Sequence, residues 1–227
     1  MVLATKVFLL ERSLPLGDIA HRLKGYSLLE REEVLGRVVE IGSRITDLRL
    51  EEGMLIGVLE EDFLISASYR DELFRIPVTI RTEFRFFSTR DRTFLVVMAK
   101  KARANRVANQ LASLLSAEKG FVQEAWILPS TLRRYFEGRM ETVKVVFFDN
   151  VRIPNVEKLS LYGSQLAETD LYREYLKLGT VWYVVFEPRE GLVIGLTRNC
   201  IVTFFSKLSI EEAVEFISEE IVPLVEI

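Results

Sequence analysis

Basic residues are concentrated in one segment of this 227-residue chain, between positions 81 and 106. Eight of them stand against two acidic residues, Glu83 and Asp91, although the whole chain carries a formal net charge of −3. They are Arg81, Arg85, Arg90, Arg92, Lys100, Lys101, Arg103 and Arg106. Arginine and lysine side chains bind phosphate oxygens, so this segment is a candidate nucleic-acid-binding surface.

Two elements are predicted to carry these charges. Apolar and polar residues alternate from Val78 to Phe86, which is typical of a strand with one buried face. A helix follows, with an apolar stripe that starts at Val107. Cations in the first turn of a helix oppose its dipole, so helix stability does not explain Lys100, Lys101 and Arg103. Phosphate binding would explain them, and a solvated face with scattered ion pairs is the alternative.

The last helix predicted from the sequence is acidic. Its buried stripe is formed by apolar residues at helical spacing, namely Ile210, Val214, Ile217 and Ile221. No basic residue occurs from position 210 to 227. The outward positions predicted to bind a partner are Glu212, Glu215, Phe216 and Glu219. Because complementary charge steers protein association, we expect this helix to dock on a basic surface such as residues 100–106 of another subunit.

Catalytic and metal-binding chemistry has little support in the sequence. The chain has one histidine, His21, and one cysteine, Cys200, which cannot supply a multi-ligand zinc site within a single chain. The run from Gly191 to Gly195 is strand-like and lacks the helix that a dinucleotide site requires. We therefore expect no catalytic residue, no metal ligand and no cofactor.

One arrangement keeps a metal-dependent nuclease as a distant alternative. Glu141, Lys144 and Asp149 lie near one another in sequence and carry the side chains that such a site uses. Lys144 and Asp149 are an odd number of positions apart on one predicted strand, which places them on opposite faces. Structural or surface roles are the prediction for all three residues.

Aromatic residues are concentrated in the second half of the chain. They are Tyr162, Tyr172, Tyr175, Trp182 and Tyr183. Aromatic side chains that converge can line a ligand pocket. The alternative is that these rings belong to the core and its rim, and the sequence alone leaves both interpretations open.

Composition favours a soluble, cytoplasmic globular protein. Hydrophobic residues make up 49% of the chain and charged residues 28%, as in a well-packed domain. No apolar run approaches the roughly 18 residues that span a bilayer, so no membrane partner is expected. The 21 arginines against nine lysines, with few glutamines, are typical of a thermophilic source.

The two halves of the chain repeat one order of elements. In the first half an apolar strand, Val7 to Leu10, precedes a helix that Ser13 caps and Gly25 ends. In the second half the strand is Ala125 to Leu128, and the helix ends at Gly138. Each half closes with a hairpin, a buried strand and an amphipathic helix. The matched positions stay in order along the chain, as expected after a duplication.

These patterns predict an α+β protein of two tandem related units, residues 1–118 and 119–227, each an antiparallel sheet covered by helices. The second unit is predicted to hold an additional helix near residues 168–178. The order of strand, helix, several strands and helix resembles the topology of the duplicated TATA-binding-protein fold. This resemblance is one of topology only and implies no function.

The functional interpretation rests on the charge distribution, since no motif identifies a reaction. We expect a non-enzymatic binding or accessory protein that binds nucleic acid through the basic strand, turn and helix of residues 81–106. The alternative is a protein-interaction or homo-oligomeric assembly module that uses the acidic C-terminal helix.

Overall fold

The computed structural model describes residues 2–34, 36–89, 91–138 and 142–226. Within these ranges, twelve strands form one large antiparallel sheet, accompanied by five α-helices. Strands make up 49% of the chain and helices 27%. The predicted fold class, two units that are each a sheet covered by helices, is therefore wrong. The alternation of apolar and polar residues shows which side chains of a strand face the core, but it does not show which strands are neighbours. A single sheet also leaves fewer unpaired strand edges than two separate sheets.

The chain divides into two compact units, which we describe separately. The N-terminal unit comprises Phe8–Met98 and Ala102–Gln123. The C-terminal unit comprises Met1–Val7, Ala99–Lys101 and Glu124–Ile227. Each unit therefore combines segments that are distant in sequence. The duplication inferred from the repeated order of elements stays a prediction.

The first part of the chain is rich in long strands. In chain order its elements are β1 (Leu3–Leu10), α1 (Leu16–Leu23), β2 (Ser27–Val34), β3 (Arg37–Glu51), β4 (Met54–Tyr69), β5 (Glu72–Thr89), β6 (Arg92–Val97), α2 (Lys101–Leu115) and β7 (Val122–Glu124). In the N-terminal unit, β2 to β6 are hydrogen-bonded neighbours in that order. β5 alone has 18 residues, well above the usual five or six, and a contour length of about 60 Å.

The pairing register of β2 to β5 separates apolar from charged side chains. Phe63 pairs with Val78 and Ile65 with Ile76, so these side chains share one side of the sheet. We call this side the apolar face. Its apolar members are Leu28, Val34, Val39, Ile41, Phe63, Ile65, Tyr69, Phe74, Ile76, Val78 and Ile80. The opposite side carries most of the charges of these strands, as expected where one face of a sheet is solvated.

Helix α2 lies against the part of this face that continues into the core of the N-terminal unit. The Gln110 Nε2 of α2 donates to the Ser43 Oγ of β3 at 2.8 Å. Further along β5, Phe84 and Phe86 are fully buried, as is Leu111 of α2. The apolar stripe of α2 and the buried face of β5 thus pack together in one core.

The C-terminal unit places three helices beside shorter strands. Its remaining elements are α3 (Pro129–Glu137), β8 (Val145–Asp149), β9 (Leu159–Tyr162), α4 (Asp170–Leu178), β10 (Thr180–Arg189), β11 (Leu192–Thr197), β12 (Ile201–Phe204) and α5 (Ile210–Phe216). A π-helical turn and a 3₁₀ turn follow α5. Helix α4 lies where the sequence predicts an additional helix. None of the helices in the described ranges is both long and apolar enough to cross a membrane.

Aromatic contacts identify the covered side of the strands in the C-terminal unit. Tyr135 of α3 packs on Phe186 of β10 with ring centroids 5.6 Å apart. Tyr172 of α4 packs on Phe148 of β8 at 6.1 Å. Since side chains alternate along a strand, the neighbours of Phe148 and Phe186 in sequence point away from these helices.

Phe216 belongs to the core of the C-terminal unit. Its side chain is 2% exposed and packs edge-to-face on Phe204 at 5.9 Å. The prediction that Phe216 projects outward to bind a partner is therefore wrong. Ala213, three positions earlier, is also buried, so the apolar stripe of α5 is wider than the four residues assigned from the sequence. The other predicted partner-binding residues are exposed, namely Glu212, Glu215 and Glu219.

Candidate nucleic-acid interface

The arginines of the predicted basic surface are mostly engaged with carboxylates. Arg85 is 4% exposed, and its Nε donates to the Glu83 Oε1 at 2.7 Å, so it cannot reach a ligand. The guanidinium of Arg81 lies 3.0 Å from the Asp47 Oδ2 and 3.1 Å from the Glu60 Oε1. The positive charges of Arg81 and Arg85 are therefore already neutralised by acidic neighbours.

Arg103 and Arg106 of α2 also interact with side chains of β4 and β5. Arg103 donates to the Thr82 hydroxyl, and its Nη2 lies 3.0 Å from the Glu61 Oε2. The Cζ of Arg106 lies 4.9 Å from the centroid of the Phe63 ring. These cations lie on the side of the apolar face, whereas Arg81 lies on the opposite side of the sheet. The predicted residues do not converge on one groove.

Three further basic residues of the predicted surface lie within the described ranges, namely Arg92, Lys100 and Lys101. Arg92 donates to the Glu11 carbonyl oxygen at 3.4 Å. Lys100 and Lys101 are exposed at the start of α2. Arg90 lies outside the described residues. The sequence did not reveal the pairing of the arginines because their acidic partners come largely from β3 and β4, which are distant in sequence.

A cluster of aromatic rings lies on the side of the C-terminal unit that faces away from Phe148 and Phe186. Phe147 of β8 is at its centre. The centroid of its ring lies 5.8 Å from that of Tyr162, 5.7 Å from that of Trp182 and 5.5 Å from that of Tyr183. Tyr162 is the most open of the four, with 67% of its surface exposed. The other three are partly exposed.

Strand register explains why these rings meet. Phe147 pairs with Tyr183 of β10, and the register shifts between Val181 and Tyr183. Such a bulge changes the direction of one side chain, and both Trp182 and Tyr183 contact Phe147 as a result. On the other side of β8, Val145 pairs with Tyr162 of β9. Three neighbouring strands therefore supply one aromatic surface.

One charged side chain borders the cluster. The Lys158 Nζ lies 5.3 Å from the centroid of the Trp182 ring, which is a cation–π distance. Lys158 immediately precedes β9. We call Phe147, Tyr162, Trp182, Tyr183 and Lys158 the aromatic face.

The remaining aromatic residues singled out from the sequence have core roles. Tyr172 is buried and donates its hydroxyl to the Glu137 Oε1 at 2.8 Å. Tyr175 packs edge-to-face on Phe148 at 5.8 Å. Of the five aromatic residues considered, Tyr162, Trp182 and Tyr183 therefore meet on one surface, whereas Tyr172 and Tyr175 pack against Phe148. Phe147 was missed, although its alternation with Phe148 in β8 indicated that one of the two faces outward.

The groups proposed for a nuclease are separated. Arg198 donates to the Asp149 carboxylate, and the Lys144 Nζ lies 3.5 Å from the Glu187 Oε2. Glu141 lies outside the described residues. Among the residues that the structure describes, no group of three or more His, Cys, Asp or Glu side chains could hold a metal ion. Cys200 is buried, and burial raises the pKa of its thiol.

No protein-family model matches the chain, and no curated protein matches it significantly. A function can therefore be inferred only from the geometry and charge of the side chains.

Proposed function

We propose that this chain is a non-enzymatic protein that binds single-stranded nucleic acid on the aromatic face. The observation that carries the proposal is the group of four contacting rings, with Tyr162 mostly exposed and the Lys158 ammonium beside Trp182. Proteins that bind single strands combine aromatic side chains, on which bases stack, with cations that follow the backbone.

Ring geometry supports stacking on individual side chains. The Phe147 ring is inclined by 75° to Tyr162 and by 69° to Trp182, so the rings do not form one flat stack. Each exposed ring face is a separate place for a base. Stacking of a base on an aromatic side chain contributes about 1–3 kcal/mol and tolerates any base, since every base has a π-face. We therefore expect affinity with little sequence preference.

The cation beside the cluster suits a backbone that crosses it. The Lys158 ammonium lies 5.3 Å from the centroid of the Trp182 ring, next to the start of β9. A phosphate of a strand whose bases stack on the rings would lie within reach of this ammonium group. Binding should accordingly weaken with salt, with log K falling by about 0.7 per phosphate neutralised on a single strand per unit of log salt.

This proposal keeps the class of ligand predicted from the sequence and moves it to another surface. The segment of residues 81–106 is less suited to phosphates because most of its arginines are paired or buried. The alternative function was a protein-interaction module that binds its partner through the acidic helix. This helix has lost the apolar contact expected with the partner, since Phe216 is in the core. Single strands are favoured over duplexes because the faces of paired, stacked bases are not available to side chains.

Fluorescence anisotropy with labelled oligothymidylate, oligouridylate and a duplex of the same length tests the proposal. We expect the single strands to bind more tightly than the duplex and to dissociate as salt increases. No binding to either single strand at low salt would refute the proposal. Tighter binding to the duplex would also contradict it, because a duplex cannot place its bases on Tyr162.

A further inference from the structure

Trp126 is an exposed aromatic residue that lies next to the aromatic face but is not part of it. It belongs to the segment between β7 and α3 and is 36% exposed. The Arg198 Cζ lies 5.3 Å from the centroid of its ring, which is a cation–π distance. The Ile127 N–H donates to the Arg198 carbonyl oxygen at 2.8 Å. Arg198 therefore positions the Trp126 ring.

Arg198 connects Trp126 to the aromatic face. Its backbone N–H donates to the Trp182 carbonyl oxygen at 3.0 Å, and its guanidinium donates to the Asp149 carboxylate. Asp149 comes two positions after Phe147 on β8, so both side chains point to the same side of the sheet. The Arg198 side chain therefore lies on the side of the aromatic face, and Trp126 lies next to it.

The residues that connect Trp126 to the aromatic face contain buried polar atoms without a partner. Among the described residues, the Asp149 Oδ1, the Trp182 Nε1 and the Arg198 Nε are each buried and make no hydrogen bond. Buried polar atoms in proteins nearly always have a hydrogen-bond partner. Polar atoms of a ligand, or water held between the ligand and the protein, would supply these partners. This observation favours a ligand that extends from the aromatic face to Trp126.

We propose that Trp126 is a second stacking position for the single strand that binds on the aromatic face. This inference rests on the proposed function and extends it to a longer ligand. The guanidinium of Arg198 lies against one face of the Trp126 ring, so a base would stack on the other face. β10 and β8 lie between β11, which Arg198 follows, and β9, which carries Tyr162. Three strand spacings separate the two positions by about 14 Å, so a bound nucleic-acid strand must extend over several nucleotides to reach both.

Substitutions at two nearby exposed positions test the stacking role in the full chain. We expect Trp126→Ala to raise the dissociation constant for a labelled oligothymidylate of about 16 nucleotides about fivefold or more, because one stacked base is lost. Trp126→Phe keeps an aromatic ring and should retain most of the affinity. Leu128→Ala is the matched control, because Leu128 is 40% exposed and has no ring on which a base can stack. Circular dichroism would verify that each variant is folded.

The length of the bound strand provides a second readout. Over oligothymidylates of about 4 to 16 nucleotides, the range of site sizes of single-strand-binding OB folds, the affinity of the unaltered protein should rise until the strand reaches both positions. In Trp126→Ala the affinity should stop rising at a shorter length. If Tyr162→Ala weakens binding but Trp126→Ala behaves like Leu128→Ala in affinity and length dependence, the second position is refuted and the proposed function stands. If no single strand binds the unaltered protein, the proposed function itself fails, and this inference fails with it.

Discussion

The ring of Tyr183 on β10 lies over Gly195 of the neighbouring strand, β11. A Cβ atom at position 195 would stand 2.3 Å from the Tyr183 hydroxyl oxygen. Glycine leaves room for the ring to lie over the strand, as happens where a strand must be approached closely. Tyr183 in turn contacts Phe147 and Trp182, so this glycine positions the aromatic face.

Gly195→Ala should therefore displace the Tyr183 ring. We expect the free energy of unfolding to fall by about 1–3 kcal/mol, as for overpacked core sites, and single-strand binding to weaken. Gly17→Ala is the control, because Gly17 lies in α1 with open space around it and should be neutral or stabilise the protein by up to about 1 kcal/mol. Urea unfolding measures both. An unchanged unfolding free energy for Gly195→Ala would contradict the close approach.

Tyr172→Phe should destabilise the C-terminal unit. The Tyr172 hydroxyl is buried and donates to Glu137, which also accepts from the Arg133 Nε at 2.8 Å. Loss of a hydrogen bond to a charged group lowers the free energy of unfolding by about 1–2 kcal/mol. Tyr162→Phe, at an exposed position, should change it by no more than about 0.5 kcal/mol. Thermal or urea unfolding that gives equal values for the two variants would contradict this role.

Alkaline pH should destabilise the protein, because a buried hydroxyl and a buried thiol keep their protons in the folded state. Burial raises the pKa of the Tyr172 hydroxyl and of the Cys200 thiol. In the unfolded chain these groups ionise near their ordinary values, about 10 and 8.5. Above those values the unfolded state has lost protons that the folded state retains, so the free energy of unfolding falls as pH rises. We expect Tyr172→Phe to show a shallower fall at high pH in urea unfolding. Identical pH profiles would contradict this.

Glu124→Gln should lower the free energy of unfolding, because Glu124 neutralises the buried Lys6 cation. The Lys6 side chain is fully buried, and its Nζ lies 2.5 Å from the Glu124 Oε1, while burial lowers the pKa of Lys6. Removing the carboxylate leaves a buried cation with less compensation, and we expect a loss of about 2–3 kcal/mol, moderated because Glu124 is partly exposed. The double variant with Lys6→Met should recover most of it in urea unfolding. A double variant as unstable as Glu124→Gln would contradict this interpretation.

Local patterns predicted most local elements, but not all. Ala125 to Leu128 forms no strand, since β7 ends at Glu124. Ser13 does not cap α1, which begins after Pro15. The strand at Val7 to Leu10 is part of β1, and the helix between Ser13 and Gly25 is α1. The alternation from Val78 to Phe86 lies within β5, with Phe84 and Phe86 buried as expected. These features depend on side-chain periodicity, which a sequence carries directly.

Features that depend on distant contacts could not be read from the sequence. Glu60 and Glu61 of β4 pair with arginines that lie about 20 to 45 positions away, which changed the interpretation of the basic segment. Phe147 belongs to the aromatic face because it contacts rings on β9 and β10. Strand pairing sets both outcomes, and pairing between distant segments is not encoded in any local window.

The measurement that most directly tests nucleic-acid binding on the aromatic face is the affinity of Tyr162→Ala for a labelled single strand, beside that of Phe205→Ala. Both rings are exposed in the C-terminal unit, at 67% and 46%, but Phe205 lies outside the aromatic face. Loss of one stacked base should raise the dissociation constant of Tyr162→Ala about fivefold or more and leave Phe205→Ala unchanged. An unchanged affinity for Tyr162→Ala, or an equal loss in both variants, would contradict the account.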